Sequence, residues 1–262
     1  MHSITIGTGK PILLIHGFAV DHRLLLPLEE VFVRRAGWER TYIDLPGFGR
    51  TPAGPEVDGS DAVAEVLVDF AKEHFGSRRF AVLGMSYGGY LARHVVAEFG
   101  SQVDGVALIA PVARPGSDRT LPPKTVLRED PGLLGRLDPA DARDYQEMAV
   151  VQSEDNWRKF EESVLPGLRA QDLSAAARIQ SSYSLSSVPE ERFGTFDGPG
   201  VMITGRQDHV VGHVDQIGLL QHYPHMAFAI LDGAGHNVHL DRQAETGALI
   251  DGWLDRMQSA PS

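Results

Sequence analysis

The stretch Arg79-Phe-Ala-Val-Leu-Gly-Met-Ser-Tyr-Gly-Gly-Tyr-Leu-Ala-Arg93 combines an apolar strand, a serine between glycines and the start of a helix. Its first half is strand-like, and its second half carries apolar residues at helical spacing. A turn that joins a strand to a helix this closely strains its central residue, here Ser86. The residues two positions before and two positions after it must therefore lack side chains. Gly84 and Gly88 meet that demand. The stretch therefore predicts a turn that raises the Ser86 hydroxyl above a sheet, in front of helical N–H groups.

Other apolar runs of the buried-strand type lie on both sides of this turn, and helical patterns separate them. The further predicted strands are 4–6, 11–15, 41–44, 106–110, 200–204 and 226–231, and predicted helices include 24–35, 61–75 and 214–222. This alternation is typical of the α/β class, and it predicts a mostly parallel sheet of about seven strands with helices on both faces. Ligands bind such sheets at the carboxyl ends of the strands.

Between residues 114 and 196 the strand pattern disappears, and prolines separate short amphipathic helices. Because the segment leaves the sheet at the edge that carries Ser86, we predict a helical cap over a pocket. The predicted division is a core of residues 1–113 and 197–262 and a cap insertion of residues 114–196. The candidate substrate-binding residues of the cap are Tyr145, Trp157 and Phe160, with Met148 and Tyr183 as further candidates. Each of these side chains is equally compatible with a packing role.

Three residues that follow predicted strands are a serine and two side chains that could activate it. A serine hydroxyl is a weak nucleophile that needs a base, and the base needs an acid that orients it. Ser86 follows one strand, Asp208 the next but one, and His236 the last. That order along the chain fits a catalytic triad of the nucleophile-elbow type. Asp232 and Asp241 remain alternatives to Asp208, since an aspartate at a loop-to-helix junction is also a common helix cap.

Attack of a serine on a carbonyl creates an oxyanion, which needs preorganised hydrogen-bond donors. The backbone N–H of Tyr87 directly follows the nucleophile, and that of Phe18 follows the turn at His16-Gly17. We predict that these two amides form the oxyanion hole.

Five motifs together resemble the α/β-hydrolase superfamily in content, order and spacing, over nearly the whole chain and least in the cap. They are His16-Gly17-Phe18, Asp44-Leu-Pro-Gly-Phe-Gly49, Gly84-Met-Ser-Tyr-Gly-Gly89, Gly205-Arg-Gln-Asp208 and Gly233-Ala-Gly-His236. The resemblance, to the capped esterases and the meta-cleavage-product hydrolases, implies a serine hydrolase with the triad and the oxyanion hole just described. Serine at position 86 makes the aspartate-nucleophile branches poor matches.

The expected activity is hydrolysis of a small or medium carboxylic ester, lactone or thioester through an acyl-enzyme, without a cofactor. A carbon–carbon bond hydrolase of the meta-cleavage type uses the same triad and is an alternative. It is disfavoured because Asn237 follows the histidine, where such enzymes often carry Trp or Phe. A non-catalytic ligand-binding member of the fold is the second alternative, and only turnover separates it from an enzyme.

Composition restricts the classes of partner. The 262 residues include 35 acidic and 24 basic side chains, for a net charge of -11, and no basic cluster stands out. We therefore expect a small-molecule substrate, no nucleic-acid or membrane partner, and a monomer or homodimer. The chain has no cysteine, no signal-like N-terminus and no apolar run near ~20 residues, which predicts a soluble cytoplasmic protein. His222, His225 and His239 lack the accompanying ligands of a metal site, so no metal is expected.

Overall fold

The computed structural model describes residues 1–259 and centres on a seven-stranded sheet. The strands are β1 (Ser3–Ile6), β2 (Lys10–Ile15), β3 (Trp38–Ile43), β4 (Phe80–Met85), β5 (Val103–Ile109), β6 (Gly200–Gly205) and β7 (Met226–Leu231). Their order across the sheet is β1-β3-β2-β4-β5-β6-β7. The edge strand β1 pairs antiparallel with β3, and the remaining neighbours pair in parallel. The predicted α/β class and strand number are confirmed.

Helices cover both faces of the sheet and fill the long connection between β5 and β6. Before that connection lie α1 (Glu29–Val33), α2 (Ser60–Phe75) and α3 (Tyr87–Phe99). Within it lie α4 (Pro131–Leu134), α5 (Pro139–Met148), α6 (Glu154–Ser163), α7 (Leu165–Ala170), α8 (Leu173–Ser181) and α9 (Pro189–Phe193). After β7 lie α10 (Val238–Asp241) and α11 (Gln243–Ser259). Within residues 1–259, 3₁₀ helices span His22–Leu28, Gly100–Gln102 and Asp215–His222.

The central strands are apolar along their whole length because helices cover both of their faces. Every residue of β4 is buried, and so is every residue of β2 after Lys10. Helix α2 buries one face, which carries apolar residues four positions apart: Val63, Leu67, Ala71 and Phe75. Parallel strands bring their carboxyl ends to one edge, so the loops after β4, β6 and β7 meet there.

Two segments predicted as α-helices differ in the structure. Residues 24–35 begin within the 3₁₀ helix His22–Leu28 and continue as the short α1. Pro27 lies inside the first part, where it lacks the N–H that an α-helical hydrogen bond requires. Residues 215–222 form a 3₁₀ helix around Gly218, a residue of low α-helix propensity.

Residues 114–196, which we call the inserted segment, carry α4 to α9 and no named strand in the part of the chain that the structure describes. Side chains fasten it to the rest of the protein at several places, including the following two. Arg93 on α3 forms a buried ion pair with Glu190 on α9, with Nε 2.5 Å from Oε1. Asn156 on α6 donates to the Asp241 carboxylate over 2.8 Å. That this segment forms a separate cap domain stays a prediction. None of the helices among residues 1–259 has the length and apolar character to cross a membrane.

Candidate active site

The turn after β4 holds Ser86 in a backbone conformation that is rare for a residue with a side chain. Its φ is 55° and its ψ is −117°. A Cβ placed on Gly84 would lie 2.2 Å from the carbonyl oxygen of Gly88, and one on Gly88 would lie 2.1 Å from that of Ile15. The two glycines are therefore required by the close approach of strand and helix, as the sequence predicts.

The three residues of the predicted triad form one hydrogen-bonded chain. His236 Nε2 lies 2.9 Å from Ser86 Oγ, and His236 Nδ1 lies 2.9 Å from Asp208 Oδ2. An ionised carboxylate can only accept, so Nδ1 carries the proton and Nε2 accepts from the serine hydroxyl. The alternatives lie elsewhere: Asp232 is exposed and accepts from Gln207, and Asp241 accepts from the Gly235 amide and Asn156.

Asp208 is fully buried, yet its surroundings keep it charged. Its Oδ1 accepts the amides of Val210 and Val211 over 2.8 and 3.0 Å. Burial raises the pKa of Asp208, but the interaction with His236 and the two amide hydrogen bonds outweigh it, so the pKa of this carboxyl lies below its usual range. The carboxylate is thus able to orient His236 and to stabilise it when it is protonated.

The loop after β2 lies directly against the serine, since a Cβ on Gly17 would be 3.3 Å from Ser86 Cβ. His16 fixes the orientation of this loop. Its Nε2 accepts the Leu45 amide over 2.9 Å, so its Nδ1 carries the proton and donates to the Gly17 carbonyl over 2.6 Å. Burial lowers the pKa of His16 and keeps it neutral. Because C=O and N–H point in opposite directions in a trans peptide, the Phe18 N–H faces away from His16.

The second candidate donor, the Tyr87 amide, is at the first position of α3. Among the described residues, neither this amide nor that of Phe18 has a hydrogen-bond partner in the protein. Both are therefore free to donate to a ligand, as an oxyanion hole requires.

A cavity of about 310 Å³ opens onto Ser86 and His236. Its walls are mostly apolar and come from the sheet edge and from the inserted segment. Besides those two residues, they comprise Gly17, Phe18, Val20, Leu24, Met85, Val112, Arg119, Met148, Val164, Leu168, Gln180, Tyr183, Val210, Val211 and Asn237.

The structure places the three candidate substrate contacts of the inserted segment away from this cavity. Tyr145, Trp157 and Phe160 are absent from the walls of this cavity and pack on one another. The Tyr145 ring lies 5.3 Å from that of Trp157 and 5.4 Å from that of Phe160, and all three residues are buried. They form a local aromatic core between α5 and α6. The further candidates Met148 and Tyr183 do line the cavity.

Several wall residues were not identified from the sequence as pocket residues, among them Arg119, Val164, Leu168 and Gln180. The apolar ones follow the same helical periodicity as packing residues. Arg119 is in an irregular stretch of the inserted segment with no motif around it. What distinguishes Arg119 is that it lines the cavity while no acidic side chain of residues 1–259 pairs with it. This feature can be seen only in the folded chain.

One cluster has the residue types of a metal site. Ligand atoms of His2, His22 and Asp44 lie within 4.8 Å of one another. Both Asp44 oxygens already have hydrogen-bond partners: Oδ1 accepts the side chain and amide of His22, and Oδ2 accepts the Arg50 amide and lies 2.9 Å from His2 Nδ1. Burial opposes ionisation, but the His22 and Arg50 hydrogen bonds hold the pKa of Asp44 well below its usual range. We assign no metal to this cluster.

Comparison with known proteins extends these observations. A model described as the alpha/beta hydrolase family matches residues 12–249. Pimeloyl-[acyl-carrier protein] methyl ester esterases are among the similar curated proteins. That of Xanthomonas campestris pv. campestris is 27% identical over 268 residues, covering 94% of this chain and 96% of the relative. That of Chromobacterium violaceum is 33% identical over 118 residues, 45% of this chain and 43% of the relative.

Among solved structures, an alpha/beta superfamily hydrolase from Oenococcus oeni PSU-1 is similar with a TM-score of 0.89 and 29% identity, covering 98% of this chain and 96% of the other. A thermophilic esterase from Thermogutta terrifontis has a TM-score of 0.67 at 22% identity, covering 98% and 94%. The second likeness is one of fold alone.

Proposed function

The chain belongs to the alpha/beta hydrolase family, and from this premise we propose that it hydrolyses carboxylic esters with Ser86 as nucleophile. His236 acts as the general base, and Asp208 orients it. The observation that carries the proposal is the chain of two 2.9 Å hydrogen bonds from Ser86 through His236 to Asp208 at the wall of a cavity. The methyl ester esterases among its relatives support ester hydrolysis.

In the first half of the proposed reaction, Ser86 Oγ attacks the ester carbonyl carbon while its proton passes to His236 Nε2. The carbonyl oxygen becomes an oxyanion that accepts hydrogen bonds from the Phe18 and Tyr87 amides. The tetrahedral intermediate collapses as His236 gives the proton to the leaving alkoxide. An alcohol departs, and the acyl group stays on Ser86.

In the second half, water replaces the alcohol. His236 Nε2 takes a proton from water as its oxygen attacks the acyl carbon, and the second oxyanion uses the same two amides. Collapse of this intermediate returns the proton to Ser86 Oγ and releases the carboxylic acid. Asp208 remains ionised throughout and stabilises the imidazolium of each step.

The size and lining of the cavity support a small or medium substrate. A volume of about 310 Å³ is at the lower end of the range for small-molecule sites. The Val112, Leu168 and Val211 walls suit an aliphatic or aromatic acyl group. The inserted segment, in this proposal, acts as a cap that completes the pocket.

Labelling with a fluorophosphonate tests the nucleophile. We expect one adduct by intact mass, located on Ser86 by peptide mapping. Ser86→Ala should abolish labelling and lower ester hydrolysis by about 10⁶-fold, as triad knockouts do. Ser101→Ala, at an exposed position, is the matched control and should behave as wild type.

Substrate panels then separate the alternatives. Hydrolysis of p-nitrophenyl esters without cleavage of a meta-cleavage dienoate supports the proposal, and the reverse result replaces it with carbon–carbon bond hydrolysis. Labelling without turnover of either substrate indicates a ligand-binding member of the fold. A folded protein that is not labelled refutes the serine-hydrolase assignment.

A further inference from the structure

The cavity beside Ser86 contains one guanidinium group. Among the described residues that line it, Arg119 is the only one with a permanent charge, and the other walls are apolar or neutral apart from the imidazole of His236. Arg119 is only partly buried, and a partly desolvated cation is stabilised by an anionic partner. The question is therefore which group pairs with Arg119.

Backbone carbonyls account for part of its hydrogen bonding. Nε donates to Arg114 over 2.8 Å, Nη1 to Val210 over 3.1 Å and Nη2 to Pro115 over 3.3 Å. A guanidinium has five N–H donors, so one on Nη1 and one on Nη2 remain. The three contacts thus hold the group in place and leave two donors, which the adjacent Tyr183 hydroxyl and a ligand can share.

No acidic side chain neutralises this cation. Within residues 1–259, no carboxylate oxygen lies within 4.0 Å of an Arg119 nitrogen. The neighbouring carboxylates are engaged by Arg114, whose Nη1 lies 3.1 Å from Asp118 and whose Nε lies 3.4 Å from Asp215. Two arginines of the same stretch therefore differ: Arg114 is paired at the surface, and Arg119 faces the cavity without an anionic partner.

Tyr183 connects Arg119 to the catalytic centre. The guanidinium carbon lies 6.0 Å from the centre of the Tyr183 ring, which is 5.7 Å from the Phe18 ring and 5.0 Å from the Tyr87 ring. Burial raises the pKa of Tyr183, so its hydroxyl stays protonated and able to donate. Arg119, Tyr183 and Phe18 thus line the same cavity, and the Tyr183 ring also contacts the ring of Tyr87.

We propose that Arg119, assisted by Tyr183, binds a carboxylate of the substrate, so that the preferred esters carry a free carboxylate in their acyl or alcohol part. This inference rests on the proposed function and names its substrate class. A carboxylate suits the site because charge-assisted hydrogen bonds to a guanidinium are about twice as strong as neutral ones, and two N–H donors match its two oxygens. In this role Arg119 determines specificity and takes no part in bond making.

Two matched pairs of esters test the proposal. Monomethyl glutarate and the neutral methyl 4-carbamoylbutanoate differ only in a carboxylate on the acyl side. The pair 3-acetoxybenzoate and 3-acetoxybenzamide differs in the same way on the alcohol side. For at least one pair, the wild type should favour the acid in kcat/KM by about tenfold or more, as hydrogen bonds to charged groups imply.

Arg119→Met should abolish this preference mainly by raising KM for the acid, because the lost contact binds substrate and transition state alike. Arg119→Lys should restore part of the preference. Arg114→Met removes a charge from the same stretch without touching the cavity and should keep the wild-type ratio. The pair that responds identifies the carboxylate-bearing side. Equal losses on acid and amide, or unchanged ratios for both pairs, overturn the proposal.

A binding measurement makes the test independent of turnover. Glutarate should raise the Tm of both wild type and Ser86→Ala more than neutral glutaramide does, and Arg119→Met should lose the difference. If Arg119→Met does not fold, the wild-type comparison of glutarate with glutaramide decides, and equal shifts refute carboxylate binding. Failure of the proposed function is distinguishable, since it would remove neutral-ester turnover and Ser86 labelling and leave the glutarate shift intact.

Discussion

Replacing Phe160 by Ala should destabilise the protein while leaving its acyl-length preference unchanged. The ring is only 2% exposed and packs on Tyr145 and Trp157 away from the cavity walls. Truncation of a buried Phe removes its apolar burial and leaves a space that the surroundings fill only in part, which costs about 3–5 kcal/mol. At about 2–4 °C per kcal/mol for a domain of this size, Tm should fall by roughly 6–20 °C.

The matched comparison is Leu168→Ala, which shortens a side chain on the cavity wall. We expect this variant to shift the profile of kcat/KM across p-nitrophenyl esters from acetate to octanoate, since it enlarges the space for the acyl group. Phe160→Ala, assayed below its lowered Tm, should give the wild-type profile.

Two results would refute this reasoning. A change of acyl-length preference in Phe160→Ala as large as that in Leu168→Ala would place the aromatic core in contact with substrate. A fall in Tm of less than about 2 °C, with the profile unchanged, would contradict the buried packing itself, since it is well under the ~6 °C minimum that a cavity of this kind produces.

Three further predictions concern carboxyl groups. Asp208→Asn should lower kcat by about 10⁴-fold at nearly unchanged Tm, because the imidazole loses the partner that orients it; steady-state kinetics with near-normal kcat would transfer the role to another residue. Glu190→Ala should lower the free energy of unfolding in urea by about 3–5 kcal/mol, because it leaves Arg93 buried and without its anionic partner. A loss smaller than that of Asp104→Ala, which breaks a surface ion pair, would contradict this. Burial raises the pKa of Asp241 to about 6, so between roughly pH 4 and 6 the folded protein binds more protons than the unfolded one, and this group lowers stability as pH rises. Asp241→Asn should remove that part of the pH dependence, up to about 3 kcal/mol, and identical pH profiles of urea unfolding for variant and wild type would disprove it.

The parts of the fold that sequence predicts are those fixed by local chemistry. Strands buried on both faces must be apolar throughout, so β2 and β4 are visible as uninterrupted runs. The turn at Ser86 is visible because its backbone tolerates only glycine at positions 84 and 88. Chain order and the resemblance to a known family then selected Asp208 from three aspartates that sequence alone leaves open.

The pocket walls depend on packing between segments distant in sequence. Tyr145 and Met148 lie three residues apart on α5, yet one packs against α6 and the other lines the cavity. Both directions are apolar, so periodicity marks each residue as inward-facing without saying what it faces. The isolation of Arg119 likewise appears only when the positions of Asp118 and Asp215 are known.

Two of the contacts that fasten the inserted segment have a consequence for how substrate reaches the site. Asn156 donates a hydrogen bond to the Asp241 carboxylate, which also accepts the amide of Gly235, the neighbour of His236. Glu190 forms an ion pair with Arg93 on α3, the helix that begins after Ser86. A swing of the whole segment would break a buried ion pair and shift the loop of the base at the same time. Substrate entry and product escape by local movement at the cavity mouth would leave both contacts intact, and the reacting groups would keep their alignment from one turnover to the next.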